Sequence, residues 1–204
     1  FHYLREVWRE TTEKDALIGV SMTGIGSGAV LGYDMEAAAK LVKRENSRVA
    51  KLIGIRKAAR CTTVIPAGTT SLALGTSSGA ILRTESPFQL LERIKIVANE
   101  WVKSGHRTGS NTHNVSATVS LKPEDWELAG EWMWKNREHY NGLSVLPFNG
   151  GTYVQAPFED CTKETYEEML TALSDVDLSK IVETEDNTDL SGELACAGGS
   201  CEVK

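Results

Sequence analysis

One run of small and hydroxyl-bearing residues has the composition of a phosphate-binding turn. It consists of Pro66, Ala67, Gly68, Thr69, Thr70 and Ser71. Its glycine lets the backbone approach a ligand closely, its three hydroxyl groups can donate to oxyanions, and a helix starting here would add unpaired N–H groups. The run lacks the lysine of a P-loop, so nucleotide hydrolysis is not implied. A plain strand-to-helix turn with a hydroxyl cap is the alternative.

A pair of cysteines near the end of the chain could do redox chemistry. Cys196 and Cys201 are separated by the flexible sequence Ala-Gly-Gly-Ser. A disulfide between them would close a small loop worth roughly 2 kcal/mol, which is too little to hold a fold together. A dithiol on a mobile arm is suited to carrying electrons between a buried disulfide and an external reductant. Half of a zinc site and two inert tail cysteines are the alternatives.

A second glycine-rich segment, Gly24 to Ala29, matches a loose dinucleotide-binding pattern after an apolar stretch. The acidic residue expected about 20 positions further on would fall inside a helix instead of at the end of a strand. A tight structural turn is therefore the favoured interpretation.

Other residues able to do chemistry have simpler explanations. His106 and His113 flank a polar loop and could contact an anion, but exposed loop histidines are commoner. Cys61 opens an apolar strand and is expected in the core, and the thiolate of Cys161 is disfavoured by neighbouring acids. Four tryptophans lie at helical spacing, and we expect them to pack against other side chains of the protein instead of stacking on a cofactor. These are Trp101, Trp126, Trp132 and Trp134.

Alternating strands and helices must position these residues, which predicts an α/β architecture. Capping residues at Asp34 and Ser86 mark two helix starts. The predicted elements are a buried strand over 16–23, a helix over 34–60, a strand over 61–65, a helix from 87 to about 105, a strand over 115–121, a helix from 123 towards 140 and a last helix over about 162–173.

Composition bounds the class of protein. The chain has 204 residues, 41% of them hydrophobic and 25% charged, which fits one soluble domain with a tail. It contains no apolar stretch of membrane-spanning length and no signal-peptide pattern, and its four cysteines suit a reducing cytoplasm. We expect two parts, a folded body over 1–173 and a flexible acidic tail over 174–204.

The charge is unevenly distributed. From residue 159 onward the chain has 13 acidic and 3 basic side chains, whereas residues 1–158 have 19 basic and 15 acidic ones. A mildly basic body suits a small anionic ligand. No Lys/Arg run with interleaved aromatic residues supports nucleic-acid binding.

Taken together, several motifs in register resemble class II ribonucleotide reductases, and most closely the monomeric, adenosylcobalamin-dependent type that acts on ribonucleoside triphosphates. The segments that carry the resemblance are 18–24, 62–71 with 75–79, 105–116, 131–134, 141–147, 155–161 and the pair Cys196/Cys201.

The resemblance implies a ten-stranded α/β barrel with the active site inside, of which this chain would supply the late strands and the carboxyl-terminal tail. It implies that Pro66, Gly68, Thr69 and Ser71 hold the phosphates of a ribonucleoside triphosphate. It also implies that Cys196 and Cys201 re-reduce the active-site disulfide and are themselves reduced by thioredoxin. No membrane and no nucleic acid are expected as partners.

Two departures from the family pattern shape these expectations. No Asn-x-Cys-x-Glu motif for a thiyl radical is present, so we expect the radical cysteine and most of the adenosylcobalamin site before Phe1, and this piece alone to be inactive. The join from Gly79 to Ile81 also looks shorter than in the family. The rival hypothesis is a non-enzymatic nucleotide- or zinc-binding module with a cysteine-bearing tail.

Overall fold

The computed structural model describes residues 3–76, 79, 85–148, 161–173, 196–197 and 200–201. The short join after Gly79, segment 149–160 and most of the predicted tail over 174–204 lie outside the described residues. The chain divides into two compact units, Phe1–Gly151 and Thr152–Lys204. The predicted boundary after residue 173 stays a prediction.

Helices account for most of the regular structure in the described residues. They are α1 (Glu6–Asp15), α2 (Met35–Ile53), α3 (Gly68–Ala73), α4 (Pro87–Val97), α5 (Trp126–Lys135) and α6 (Lys163–Thr171). Helix α4 continues as a π-helical turn, Ala98–Lys103, and a 3₁₀ turn, Pro123–Asp125, leads into α5. No helix in the described part of the chain is long and apolar enough to cross a membrane.

Two helices start at the predicted capping residues, Asp34 and Ser86, and a third starts at a cap that was not predicted, Thr162. The Asp34 carboxylate accepts from the Ala37 N–H at 2.8 Å, and Ser86 forms a capping box with Gln89. Thr162 accepts from the Thr165 N–H at the start of α6. Each cap satisfies one of the N–H groups that a first helical turn leaves unpaired.

Parallel pairing links four segments of the first unit. Strand β1 (Thr118–Leu121) pairs in parallel with β2 (Ser144–Pro147). Isolated parallel bridges join Val64 to Val115 and Val20 to Thr62. The paired segments therefore lie side by side in the order 16–23, 59–65, 114–121 and 144–147. The α/β class with parallel pairing is therefore confirmed.

The core of the first unit lies between this sheet and helices α2 and α4. Its largest fully buried side chains include Leu91 and Val97 on α4 and Val119 and Leu121 on β1. The same core contains Met35, Ala39, Val64, Ile94, Ala98, Trp101, Val102, Val115 and Ala129. The buried sides of α2, α4 and the π-helical turn thus share one core with the strands.

The predicted elements differ from the structure in their extents. Helix α2 ends at Ile53 and not at Arg60, because Gly54 adopts a left-handed conformation (φ 74°) that stops it. The expected strand over 16–23 pairs regularly only at Val20, which is 38% exposed, so it is not the buried strand predicted. The helix expected from 123 towards 140 ends at Lys135. Helix α1 and strand β2 were not predicted.

In the second unit, the structure describes α6 and a minimal hairpin. The hairpin pairs β3 (Cys196–Ala197) antiparallel with β4 (Ser200–Cys201). Every described residue of α6 is exposed within its own unit.

Candidate functional site

The turn Pro66–Ser71 follows a segment that is paired on both sides. The Val64 N–H donates to the Asn114 carbonyl at 3.1 Å, and the Ile65 N–H donates to the Ser21 hydroxyl at 3.1 Å. The turn thus leaves the sheet at the carboxyl end of a parallel segment. This is the edge where open α/β sheets place their ligands.

Backbone geometry makes the start of α3 a donor of N–H groups. Ala67 precedes the helix and provides no side-chain cap. The first hydrogen bond of the helix runs from the Ser71 N–H to the Ala67 carbonyl at 2.8 Å. The N–H groups of residues 68–70 therefore have no partner within the helix. The Ser71 hydroxyl donates to the Gly68 carbonyl at 2.8 Å, so it stabilises the turn and is left only as an acceptor.

The two glycine-rich motifs lie side by side. Gly24 has φ 85°, and a Cβ added there would meet the Thr76 Cβ at 3.6 Å. Thr76 in turn donates from its N–H to the Ser71 carbonyl at 2.9 Å. The Gly24 segment is a tight turn followed by further turns and not by a helix, as the favoured interpretation predicted. It packs against the end of the candidate phosphate turn.

A buried clamp holds the segment that leads into the turn. The Thr62 hydroxyl donates to the Trp101 carbonyl at 2.7 Å, and the Trp101 indole N–H donates to the Thr63 carbonyl at 3.0 Å. Gly105 lies so close that a Cβ there would fall 1.8 Å from the Thr62 Oγ1. The π-helical turn is thus locked to the strand immediately before the candidate site. Sequence reasoning missed this clamp because no local pattern reports a contact across some 40 residues.

The loop histidines bond to backbone. His113 donates from Nδ1 to the Thr62 carbonyl at 3.2 Å, and His106 donates from Nε2 to the Gly109 carbonyl at 3.0 Å. Burial lowers the pKa of His113 below its ordinary value, and the charges of Arg60 and His106 act in the same direction. The hydrogen bond to the Thr62 carbonyl acts in the opposite direction. His106 therefore bonds within its own loop, and His113 ties the loop to the segment that leads into the turn.

The two tail cysteines stand opposite each other in the hairpin. Cys196 and Cys201 are partners in the β3–β4 register. Opposed residues in an antiparallel pair have Cα atoms about 4.5–5.5 Å apart, within the range that a disulfide spans. The backbone therefore brings together the pair that the sequence singled out.

The remaining cysteines and tryptophans divide between core and surface. Cys61 is fully buried, as predicted, and Cys161 is exposed. Trp101 is buried in the core, whereas Trp134 is 73% exposed under the Arg137 guanidinium and Trp126 is 44% exposed, so the packing prediction is wrong for these two. Within the described residues, no group of three or more His, Cys, Asp or Glu side chains could hold a metal ion.

Comparison with known proteins supports the resemblance seen in the sequence. No protein-family model matches the chain. It is 22% identical to the adenosylcobalamin-dependent ribonucleoside-triphosphate reductase of Lactobacillus acidophilus over 290 positions, covering 100% of this chain and 38% of that protein. The enzyme of the same name from Lactobacillus leichmannii is also 22% identical and is covered over 38% of its length. The predicted resemblance to these reductases is thus confirmed.

A solved structure shows the same fold relationship. The crystal structure of a B12-dependent (class II) ribonucleotide reductase matches 81% of this chain and 34% of its own length, with a TM-score of 0.56 and 16% identity. The chain therefore spans a little over a third of the length of the relatives that it matches. The 290 aligned positions exceed the 204 residues of this chain, so at least 86 of them have no counterpart here. The predicted short join after Gly79 stays a prediction.

Proposed function

We propose that this chain is the carboxyl-terminal part of an adenosylcobalamin-dependent ribonucleotide reductase, an enzyme that converts ribonucleoside triphosphates to 2′-deoxyribonucleotides in the cytoplasm. The proposal is carried by similarity to such reductases over the whole of this chain, together with a donor turn at the carboxyl end of a parallel segment. Its parallel segments would then form part of a ten-stranded barrel completed by preceding strands.

In this proposal, the turn Pro66–Ser71 binds the substrate phosphates mainly through its backbone. The N–H groups of residues 68–70 point out of the first turn of α3, where the helix dipole favours negative charge. Thr70 is exposed and can add a hydroxyl donor, whereas the Ser71 donor is already used within the turn. Ser71 therefore shapes the site more than it binds the ligand.

The cysteine pair serves as the electron relay. The thiols of Cys196 and Cys201 attack a disulfide left in the active site after turnover, so that two electrons and two protons pass to it and a Cys196–Cys201 disulfide forms. The dithiol of thioredoxin then reduces that disulfide and becomes oxidised itself. The opposed placement of the two residues in the hairpin supports a reversible bond between them.

The cavity beside the loop around His113 does not fit adenosylcobalamin. The enclosed cavity between the π-helical turn and the loop around His113 has a volume of about 20 Å³, enough for one water molecule and far too small for a corrin ring. We therefore assign no step of the cofactor's chemistry to this chain. The cofactor would be held mainly by the part of the enzyme that precedes it.

A matched pair of substitutions in the full-length protein tests the phosphate turn. Thr70 and Thr165 both occupy the third position of a helix, in α3 and α6 respectively. Thr70→Glu places a negative charge where the phosphates would bind, so the affinity for a ribonucleoside triphosphate should fall tenfold or more in equilibrium binding. Thr165→Glu should leave the affinity unchanged. Equal affinities in both variants would remove the turn from the substrate site.

A further inference from the structure

The parallel pairing between the first two segments of the sheet stops just before the turn Pro66–Ser71. The last backbone bond between these segments runs from the Thr63 N–H to the Val20 carbonyl at 3.0 Å. Regular parallel pairing would next join the Ile65 N–H to the Met22 carbonyl, two residues further along each strand. Among the residues that the structure describes, this backbone bond is not made. The ladder therefore ends at Val20.

Side chains take over where the ladder ends. The Ile65 N–H donates to the Ser21 hydroxyl at 3.1 Å, and the Trp101 indole N–H donates to the Thr63 carbonyl at 3.0 Å. The Ser21 oxygen thus stands in for the backbone acceptor that regular pairing would supply. A main-chain carbonyl is present at every position, whereas this hydroxyl depends on the side chain of residue 21. The bond is therefore one that a substitution can remove.

The bond between Ser21 and Ile65 controls how the chain enters the turn. Pro66 follows directly, has no N–H to donate and holds its own φ at about −65°. The orientation of the Ile65 peptide is therefore passed to the turn with little freedom. A shift at Ile65 would move the N–H groups of residues 68–70, which are the proposed phosphate donors.

The segment that contains Ser21 also contacts the end of the turn. Gly24 lies three residues further on, and a Cβ added there would be 3.6 Å from the Thr76 Cβ. The N–H and the hydroxyl of Thr76 both donate to the Ser71 carbonyl, at 2.9 and 3.3 Å. Residues 21–24 thus reach the turn from both of its ends.

We propose that Ser21 is a positioning residue for the phosphate-binding turn. Its hydroxyl fixes the Ile65 peptide, and Pro66 transmits that orientation to the backbone N–H groups that receive the negative charge. This role rests on the proposed function of the turn, and it adds to the site a residue that lies 44 positions before Ile65. Ser21 acts through the turn and does not need to touch the substrate.

A matched pair of substitutions in the full-length protein tests this role. Ser21→Val and Ser21→Thr are both β-branched and nearly equal in shape, but only threonine keeps the hydroxyl. In equilibrium binding of a ribonucleoside triphosphate, Ser21→Val should weaken the affinity roughly fivefold or more, because the Ile65 N–H loses its acceptor. Ser21→Thr should stay within about twofold of the unsubstituted protein.

A second comparison separates positioning from a general structural effect. In a protein that already carries Thr70→Glu, the turn repels phosphates, so adding Ser21→Val should change the triphosphate affinity by less than about twofold. A purely structural role of Ser21 would lower the affinity by the same factor with and without Thr70→Glu. If Ser21→Val does not fold, Ser21→Ala removes the same hydroxyl without adding bulk, and the same comparison applies.

Two results would overturn the inference. They are equal triphosphate affinities of the valine and threonine variants at Ser21, and equal losses from Ser21→Val in the two backgrounds. Failure of the proposed function gives a different result, because Thr70→Glu alone would then leave the affinity unchanged. If only the role of Ser21 is wrong, the effect of Thr70→Glu remains.

Discussion

The phosphate turn and the cysteine hairpin are built in opposite ways. The segment that leads into the turn is hydrogen-bonded on both sides and is locked by the buried clamp from Thr62 to Trp101. The hairpin has two strands of two residues each, and its pairing brings two cysteines opposite one another. Position matters for the first site, because its donors are backbone groups. Side-chain chemistry matters for the second.

This difference predicts separable effects. A substitution that disturbs the scaffold should weaken triphosphate binding and stability together, and it should leave thiol–disulfide exchange at the hairpin unchanged. A substitution at the cysteines should abolish thiol–disulfide exchange at the hairpin and leave triphosphate binding and stability unchanged.

The largest expected effect of a scaffold change is at Gly105. In Gly105→Ala, the added Cβ would clash with the Oγ1, Cβ and Cγ2 atoms of Thr62. Because the Thr62 Cβ is attached directly to the backbone and cannot move freely, the substitution should lower the free energy of unfolding by about 3 kcal/mol. Gly130→Ala in α5 is the matched control, because its added Cβ meets nothing within 4 Å, and it should gain about 0.5–1 kcal/mol. Urea unfolding measures both. Equal stabilities would show that the clamp is not tight.

A smaller effect is expected from the hydroxyl of the clamp. Thr62→Val keeps the shape of the side chain but leaves the Trp101 carbonyl without this donor, which should cost about 1–2 kcal/mol and weaken triphosphate binding. The exposed Thr171 makes a comparable local bond to the Glu168 carbonyl, so Thr171→Val should change stability by less than about 0.5 kcal/mol. A Thr62→Val protein as stable as this control would contradict the role of the clamp.

The smallest effect is a pH dependence at His113. Its pKa is lowered in the folded chain, chiefly by burial, so the unfolded chain takes up this proton first as the pH falls. The stabilising contribution of the neutral ring is therefore complete above an unfolded pKa of about 6.5 and is lost as the pH falls towards the folded value. His113→Gln should lose less stability than the unsubstituted protein between pH 7.5 and 5.5. Identical losses would exclude this contribution.

Local signals in the sequence predicted the helix starts, because a cap needs only residues within one turn. Asp34 and Ser86 cap as expected, and the last helix begins where predicted, after Thr162. The end of α2 was missed because Gly54 interrupts an amphipathic pattern that otherwise continues to about residue 60. Helix α1 was missed because it has no buried residue, and so no apolar stripe to reveal it.

Long-range geometry was beyond the sequence. Nothing in the local pattern around Gly105 indicates that it must lie against Thr62, and the approach of Gly24 to Thr76 is equally non-local. The candidate phosphate turn was proposed from its composition, whereas the bond from the Ser71 hydroxyl to the Gly68 carbonyl is visible only in the structure. The opposed cysteines follow from a register that spacing alone leaves open.

The most direct measurement compares single and multiple turnovers of ribonucleoside-triphosphate reduction by the full-length protein. With Cys196→Ser/Cys201→Ser, we expect a pre-reduced enzyme to complete one turnover while thioredoxin-driven turnover falls by a hundredfold or more. Cys161→Ser, which alters an exposed cysteine outside the hairpin, should retain both activities. An equal loss of single and multiple turnover in the double variant, or no loss of either, would contradict the relay.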